Sequence, residues 1–177
     1  QGGNMLDGYF KTVDSKDDLL QFYADAADGH DYKYFALDTI DKIVEWTEKG
    51  VCSEYDIESI NDLPFGKGFG LVRERVMNNI KKLSSLCDHL ILIGHRKTAS
   101  PIDNSTAIEP ESLDISGKLK NKIMANADAI GYMFREEENL MVSFESGKAL
   151  EAGSRCDHLR GKVMPFDWTK IYKKEGK

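Results

Sequence analysis

The sequence predicts an α/β domain built on a largely parallel sheet. Two short apolar runs of strand character, helical periods before and between them, and a hairpin pattern toward the carboxyl end lead to that class. The 177 residues suit one domain and can bury a substantial core.

Ser15 followed by Asp18 marks the first helix start. The hydroxyl can cap free backbone N–H groups, and Asp17 and Asp18 suit the positive end of the helix dipole. Leu19, Leu20, Phe22 and Tyr23 give that helix an apolar face as far as about Ala27. Tyr34-Phe35-Ala36-Leu37, ending at Asp38, has the form of a parallel strand buried on both faces. Ile40, Ile43, Val44 and Thr47 fall at helical spacing, and Gly50 is the expected stop. Residues 51–69 read as a long polar loop, the kind that is usually functional. Leu71, Val72, Val76, Ile80, Leu83 and Leu86 form the next helix, and residues 89–95 the clearest strand. A polar stretch, 97–112, leads to a helix near 117–126. Ala129 to Phe134 and Leu140 to Phe144 predict a β-hairpin turning at Glu136-Glu137-Glu138-Asn139, and a short helix is expected near Trp168.

Composition narrows the function classes. No apolar run approaches the roughly 20 residues of a membrane span, so no membrane partner is expected. Cys52, Cys87 and Cys156 are too few and too scattered for a disulfide framework, which fits a reducing compartment. The net charge of −6 opposes indiscriminate nucleic-acid binding, yet it averages unequal parts. Residues 1–62 hold five Lys/Arg against fifteen Asp/Glu, while the rest hold nineteen against fifteen, which permits a basic face.

Several residues can carry chemistry. Asp38 at the tip of a hydrophobic strand, followed by Thr39, is the Walker B pattern, in which the carboxylate holds Mg²⁺ through water; helix N-capping is the structural alternative. Asp41 can polarise a water or serve the helix dipole. His95 closes the second strong strand, where α/β proteins place ligand-facing groups, and can sense a terminal phosphate. Arg96 and Lys97, with Lys118, Lys120 and Lys122 on the helix that opens at Ser116-Gly117, are candidates for phosphate contacts to DNA; a solvated face is the alternative. Phe65-Gly66-Lys67-Gly68-Phe69-Gly70 is not a phosphate loop, since its spacing differs from G-x-x-x-x-G-K-[ST] and no strand precedes it. Phe65 and Phe69 instead suit base stacking or core anchoring. Cys-Asp-His occurs at 87–89 and 156–158, a spacing unlike known zinc knuckles. Arg155, after Gly153-Ser154, can reach a nucleotide in a neighbouring subunit or serve an exposed ion pair.

Taken in order, Tyr-Phe-Ala-Leu-Asp-Thr-Ile at 34–40, Phe-Gly-Lys-Gly-Phe-Gly-Leu-Val at 65–72, Leu-Ile-Leu-Ile-Gly-His-Arg-Lys at 90–97, Leu-Asp-Ile-Ser-Gly-Lys-Leu at 113–119, Ala-Asp-Ala-Ile-Gly-Tyr at 127–132 and Ala-Gly-Ser-Arg-Cys at 152–156 resemble the RecA-like AAA-domain P-loop ATPases of phages, relatives of single-strand annealing and strand-exchange proteins. The resemblance covers about residues 1–170. It implies a three-layer RecA-like P-loop NTPase core over residues 1–177, with a mostly parallel sheet and a C-terminal β-hairpin. It also implies ATP and Mg²⁺ as cofactors, single-stranded DNA as partner, a homo-oligomeric ring or filament, and the host cytoplasm as location. By the same resemblance Asp38 with Thr39 lies on the Mg²⁺ side of the nucleotide, His95 is sensor-like, the segment after it is a DNA-binding loop, and Arg155 approaches nucleotide across a subunit boundary.

The chain contains no G-x-x-x-x-G-K-[ST]. The resemblance therefore places a Walker A loop before residue 1, with Gln1-Gly2-Gly3-Asn4 as a boundary within a longer gene. Alone, these residues are expected to bind ATP poorly, because that loop's backbone N–H groups and lysine supply most of the binding. Rival readings are a non-catalytic DNA- or protein-binding module derived from a P-loop NTPase, a structural phage protein on a reused fold, and, last, a small-molecule kinase.

Overall fold

In a computed structural model of the chain, which describes residues 9–97, 100–101, 108–115, 117–147 and 150–172, Ser15 caps the first helix, α1 (Lys16–Asp28). Its Oγ accepts from the Asp18 N–H at 3.1 Å and donates to the Asp18 carboxylate at 2.7 Å. That hydroxyl, helped by the Asp14 N–H, holds the Asp18 carboxyl below the usual carboxylate range. Leu19 and Tyr23 are buried, whereas Leu20 stays exposed, so the buried stripe is narrower than the sequence suggests. Contacts divide the chain into residues 1–93 and 94–177, and each unit is described by itself.

In the first unit, β1 (Tyr34–Asp38) and β2 (His89–Ile93) pair in parallel without offset, Tyr34 opposite His89 and Asp38 opposite Ile93. Phe35 and Leu37 are half-buried, with the Phe22 ring 5.4 Å from Phe35, while Tyr34, Ala36 and Asp38 are exposed. The strand expected to be buried on both faces is thus covered on one. Among the described residues its ladder has two strands, too few to enclose both sides.

The connection between these strands departs most from expectation. Helix α2 (Ile40–Tyr55) runs through Gly50 instead of stopping there. A mid-helix glycine costs about 1 kcal/mol, and the next residue, Val51, is fully buried, which offsets that cost. The helix ends at Asp56, in the left-handed region at φ 51°. Residues 51–69 are not a loop. Two 3₁₀ turns, Ile60–Asp62 and Pro64–Gly66, lead directly into α3 (Lys67–Ser84). The first turn is closed by the Ser59 N–H donating to the Asp62 carboxylate at 2.9 Å. It packs so closely on α3 that a Cβ on Gly68 would lie 2.2 Å from the Ile60 carbonyl oxygen. Gly68 is therefore a packing contact, not loop punctuation.

Val72, Val76 and Leu83 bury the inner face of α3. Arg75 pairs with Glu54 at 2.7 Å, joining α3 to α2. Tyr23 joins α1 to α3: its hydroxyl donates to Asn79 Oδ1 at 2.9 Å, and the Lys82 ammonium lies 4.2 Å from its ring centre. Burial pushes the Tyr23 hydroxyl up to about 12.

The second unit opens with a ribbon. β3 (Arg96–Lys97) pairs antiparallel with β6 (Ser112–Leu113), and β4 (Ser100–Pro101) with β5 (Ile108–Glu109). The polar stretch 97–112 is thus at least partly regular. Helix α4 (Gly117–Asn126) lies where the period places it and buries Leu119 and Ile123; Ser116, its expected opening residue, lies outside the described residues. β7 (Ala129–Ile130) is followed by the expected hairpin, β8 (Tyr132–Glu136) and β9 (Asn139–Ser143), with Glu137 at φ 54° in its turn. β10 (Gly153–Ser154) pairs antiparallel with β7, and β11 (Val163–Pro165) with β9. Val142, Phe144 and Leu159 form the core, with Met164, Phe166 and Ile171 against it. α5 (Trp168–Ile171), capped by Asp167, is the short helix expected near Trp168.

The class is mixed α/β, as expected, but the mostly parallel sheet is not what the described residues form. β1–β2 is their parallel ladder, and the other strand ladders are antiparallel, an isolated Glu111–Leu150 bridge being parallel. Short connections, such as the turn joining β8 to β9, permit antiparallel pairing only.

Two outcomes follow from this packing. Gly68→Ala, which in an open helix gains about 1 kcal/mol, is expected to destabilise by about 2 kcal/mol through the clash with Ile60, read as a lower urea midpoint. Tyr23 has a folded value above its unfolded one, so its contribution is full below about pH 10 and is lost as pH rises toward about 12. Urea midpoints across that window should fall more steeply for the native chain than for Tyr23→Phe.

Candidate functional site

Asp38 sits at the carboxyl end of β1, opposite Ile93 at the carboxyl end of β2. The peptide joining it to Thr39 is cis. Thr39 is the N-cap residue of α2, in extended conformation and without a side-chain capping bond, so the N-terminus of a four-turn helix begins one residue beyond the strand tip. Asp41 lies in the first turn and is half-buried. Asp38 itself is exposed, and Thr39, not Asp38, takes the capping position. Strand tip and helix N-terminus together form the rim where α/β sheets place phosphate-bearing ligands. The donors on offer are hard oxygens, two carboxylates and a hydroxyl, a set that suits Mg²⁺ held partly through water. The chain reaches His95 two residues after Ile93; its carbonyl accepts from the Asp114 N–H at 2.8 Å.

The candidate DNA cations separate into two kinds. Arg96 is committed: Nη1 donates to Glu111 at 2.7 Å and to the Tyr132 hydroxyl at 2.5 Å, and the guanidinium lies 5.7 Å from that ring. Burial, then the hydrogen bond with Glu111, raises the Tyr132 hydroxyl above its ordinary value. Lys120 is committed as well, donating to Glu151 at 2.7 Å and to Ser112 Oγ at 3.3 Å, with its side chain only 15% exposed. Lys97, Lys118 and Lys122 are exposed. A cleft of about 370 Å³ beside the start of α4 is lined by Lys97, Ser112, Leu113, Ile115, Lys120 and Asn121. Arg155 lies on the exposed side of the second unit. It donates to the Ala125 carbonyl, and its guanidinium stands 3.9 Å from the Asp128 carboxylate.

Glu111, Glu151 and Tyr132 were not apparent from sequence, because they lie 15, 31 and 36 residues from the cations they hold. The separation of Lys120 from its neighbours did leave a signal. At about 100° per residue, positions 118 and 122 share a helix face and position 120 points away from it.

The two Cys-Asp-His triplets fall in different units. The His89 ring stacks on Tyr34 at 4.9 Å, and His158 Nε2 pairs with the Ile171 carbonyl at 2.8 Å. Phe65 is fully exposed at φ 55° in the second 3₁₀ turn, and Phe69 is partly exposed in the first turn of α3. Neither ring anchors the core.

A mixed α/β chain with an acid at the tip of a parallel strand and a helix starting beside it is consistent with a P-loop NTPase-like domain. A family model described as AAA domain matches residues 3–156, and the chain belongs to that family. Membership supports a nucleotide-binding, ATPase-like function. No curated protein and no solved structure matches the chain. Among the described residues no helix is long and apolar enough to cross a membrane.

The two kinds of lysine are separable in solution. Lys120→Met leaves the Glu151 carboxylate without its partner and is expected to destabilise by about 1–2 kcal/mol in urea. Lys118→Met and Lys122→Met are expected to stay within about 0.5 kcal/mol of the native value.

Proposed function

We propose that this chain carries the acidic half of a Mg-ATP site in a RecA-like ATPase that acts on single-stranded DNA during phage recombination or replication. The observation that carries the reading is the position of Asp38. It ends a strand in parallel register with β2, at the rim where α2 begins. AAA-domain membership supports the nucleotide, and the ordered motifs that resemble phage RecA-like proteins support the DNA and the phage setting.

Asp38 and the Thr39 hydroxyl hold the metal-side waters, and Asp41 orients a water beside them. His95 senses the terminal phosphate. Bound Mg²⁺ supplies positive charge against the β- and γ-phosphates. The loop that cradles those phosphates is not among these 177 residues. In the proposed homo-oligomer Arg155 exchanges its contact with Asp128 for the nucleotide of a neighbouring subunit. Lys118 and Lys122, exposed on one face of α4, contact the DNA backbone together with Lys97. Arg96 and Lys120 act there only if DNA phosphates displace Glu111 and Glu151.

In the protein as its gene encodes it, Asp38→Asn is expected to reduce Mg-dependent ATP hydrolysis by about a hundredfold or more, with the far-ultraviolet spectrum unchanged. Hydrolysis within a factor of about two of native would overturn the assignment. For DNA, replacing Lys118 and Lys122 together by alanine is expected to flatten the slope of log K against log salt by about 1.4, on oligo-dT. An unchanged slope would remove α4 from the DNA face.

A further inference from the structure

We propose that Trp168 and Tyr172 form a base-stacking platform for single-stranded DNA, with Lys162 and Lys170 supplying charge beside it. The inference rests on the DNA partner in the reading above and gives it a further contact, separate from α4 in the chain. The platform lies beyond residue 156, where the match to the AAA-domain family ends.

The Trp168 indole is 48% exposed, yet it is firmly mounted. A helix of four residues has little stability of its own, so tertiary contacts must hold α5. Asp167 Oδ1 accepts from the Thr169 N–H at 2.9 Å and from its hydroxyl at 2.7 Å, which fixes the start of the helix. At the other end His158 Nε2 pairs with the Ile171 carbonyl at 2.8 Å. Phe166, packed against the core of the second unit, meets the indole nearly at right angles, with ring centres 4.7 Å apart. Tyr172 lies four residues after Trp168, which brings it to the same side of the helix, and its ring stacks on the indole at 5.9 Å and 25°. Both rings are thus set in place before a ligand arrives, and a flat partner loses little binding energy to ordering them.

Charge selects the partner. Residues 157–177 hold six Lys/Arg against three Asp/Glu, whereas residues 1–156 hold eighteen against twenty-seven. The rings therefore sit in a basic segment of an acidic chain. Lys162, just before β11, is exposed and makes no ion pair among the described residues. Lys170 stands 3.8 Å from Asp167 Oδ2, while the other oxygen of that carboxylate serves the cap, and 59% of the lysine side chain remains in water. Exposed lysines call for a polyanion, and exposed rings call for flat apolar faces. Single-stranded DNA offers both along one strand, whereas a duplex keeps its base faces stacked inside.

The test uses the protein as its gene encodes it, with oligo-dT as the probe and an abasic deoxyribose-phosphate strand of equal length as the control for charge alone. Oligo-dT is expected to quench the emission of Trp168, read as native minus Trp168→Phe, and the abasic strand to leave it unquenched. Trp168→Ala is expected to bind oligo-dT about tenfold more weakly with the salt slope unchanged, and Trp168→Tyr, which keeps a ring, to lose about threefold or less. Replacing Lys162 and Lys170 together by alanine is expected to flatten that slope by about 1.4. Native affinity in both Trp168 variants sinks the platform and leaves the DNA contacts of α4 standing. A native protein without salt-dependent affinity for oligo-dT removes both. Equal losses in Trp168→Ala and Trp168→Tyr, together with lower melting temperatures, assign the indole a structural role and overturn the proposal. Emission that ignores oligo-dT but shifts to the blue with phosphatidylserine vesicles assigns the rings to a lipid surface and overturns it as well.

Discussion

The parallel pairing of β1 with β2 is the constraint from which the site follows. Parallel strands need a long crossover, and here α2, the two 3₁₀ turns and α3 supply it. Because the ladder runs without offset from Tyr34–His89 to Asp38–Ile93, both strands finish at one rim. A slip of one residue would carry the Asp38 carboxylate to the other face of the sheet and leave the N-terminus of α2 without it. Gly68, seated on Ile60, lies within that crossover.

In the second unit the organising theme is charge paired with charge. Glu111 and Glu151 each take up a cation that could otherwise face a polyanion, and the Glu151 N–H also donates to the Glu111 carbonyl at 2.9 Å. The two carboxylates therefore stand on adjoining backbone. They tie the ribbon, α4 and β8 into one polar network through Arg96, Lys120 and Tyr132. What is left for an external phosphate is narrower than a count of lysines suggests.

Much of the secondary structure was legible in the sequence. The Ser15 cap, the strand ending at Asp38, a strand from His89 (expected to reach His95 but ending at Ile93), α4, the hairpin turning after Glu136 and the helix at Trp168 all follow from local chemistry: a hydroxyl three residues before an acid, apolar runs, and period-2 alternation. The failures share a cause. Gly50 and Gly68 looked like breakers, yet Val51 is buried and Gly68 meets a carbonyl from another segment, contacts that only the folded chain contains. Likewise the partners of Arg96 and Lys120 come from 15 and 31 residues away, beyond the reach of any spacing rule. That Asp38, Thr39 and Asp41 fall at a strand tip and a helix start was readable because the two are contiguous in the chain.

The backbone around Arg96 has a mechanical implication. Arg96 and Lys97 are paired with Leu113 and Ser112, and the His95 carbonyl accepts from the Asp114 N–H at 2.8 Å. The segment that carries the guanidinium is thus fastened to the one facing it, so Arg96 cannot shift without drawing Ser112 and Leu113 along. Held by a carboxylate and a phenol at its tip and by a ladder at its root, that side chain is a fixed post, not a swinging arm.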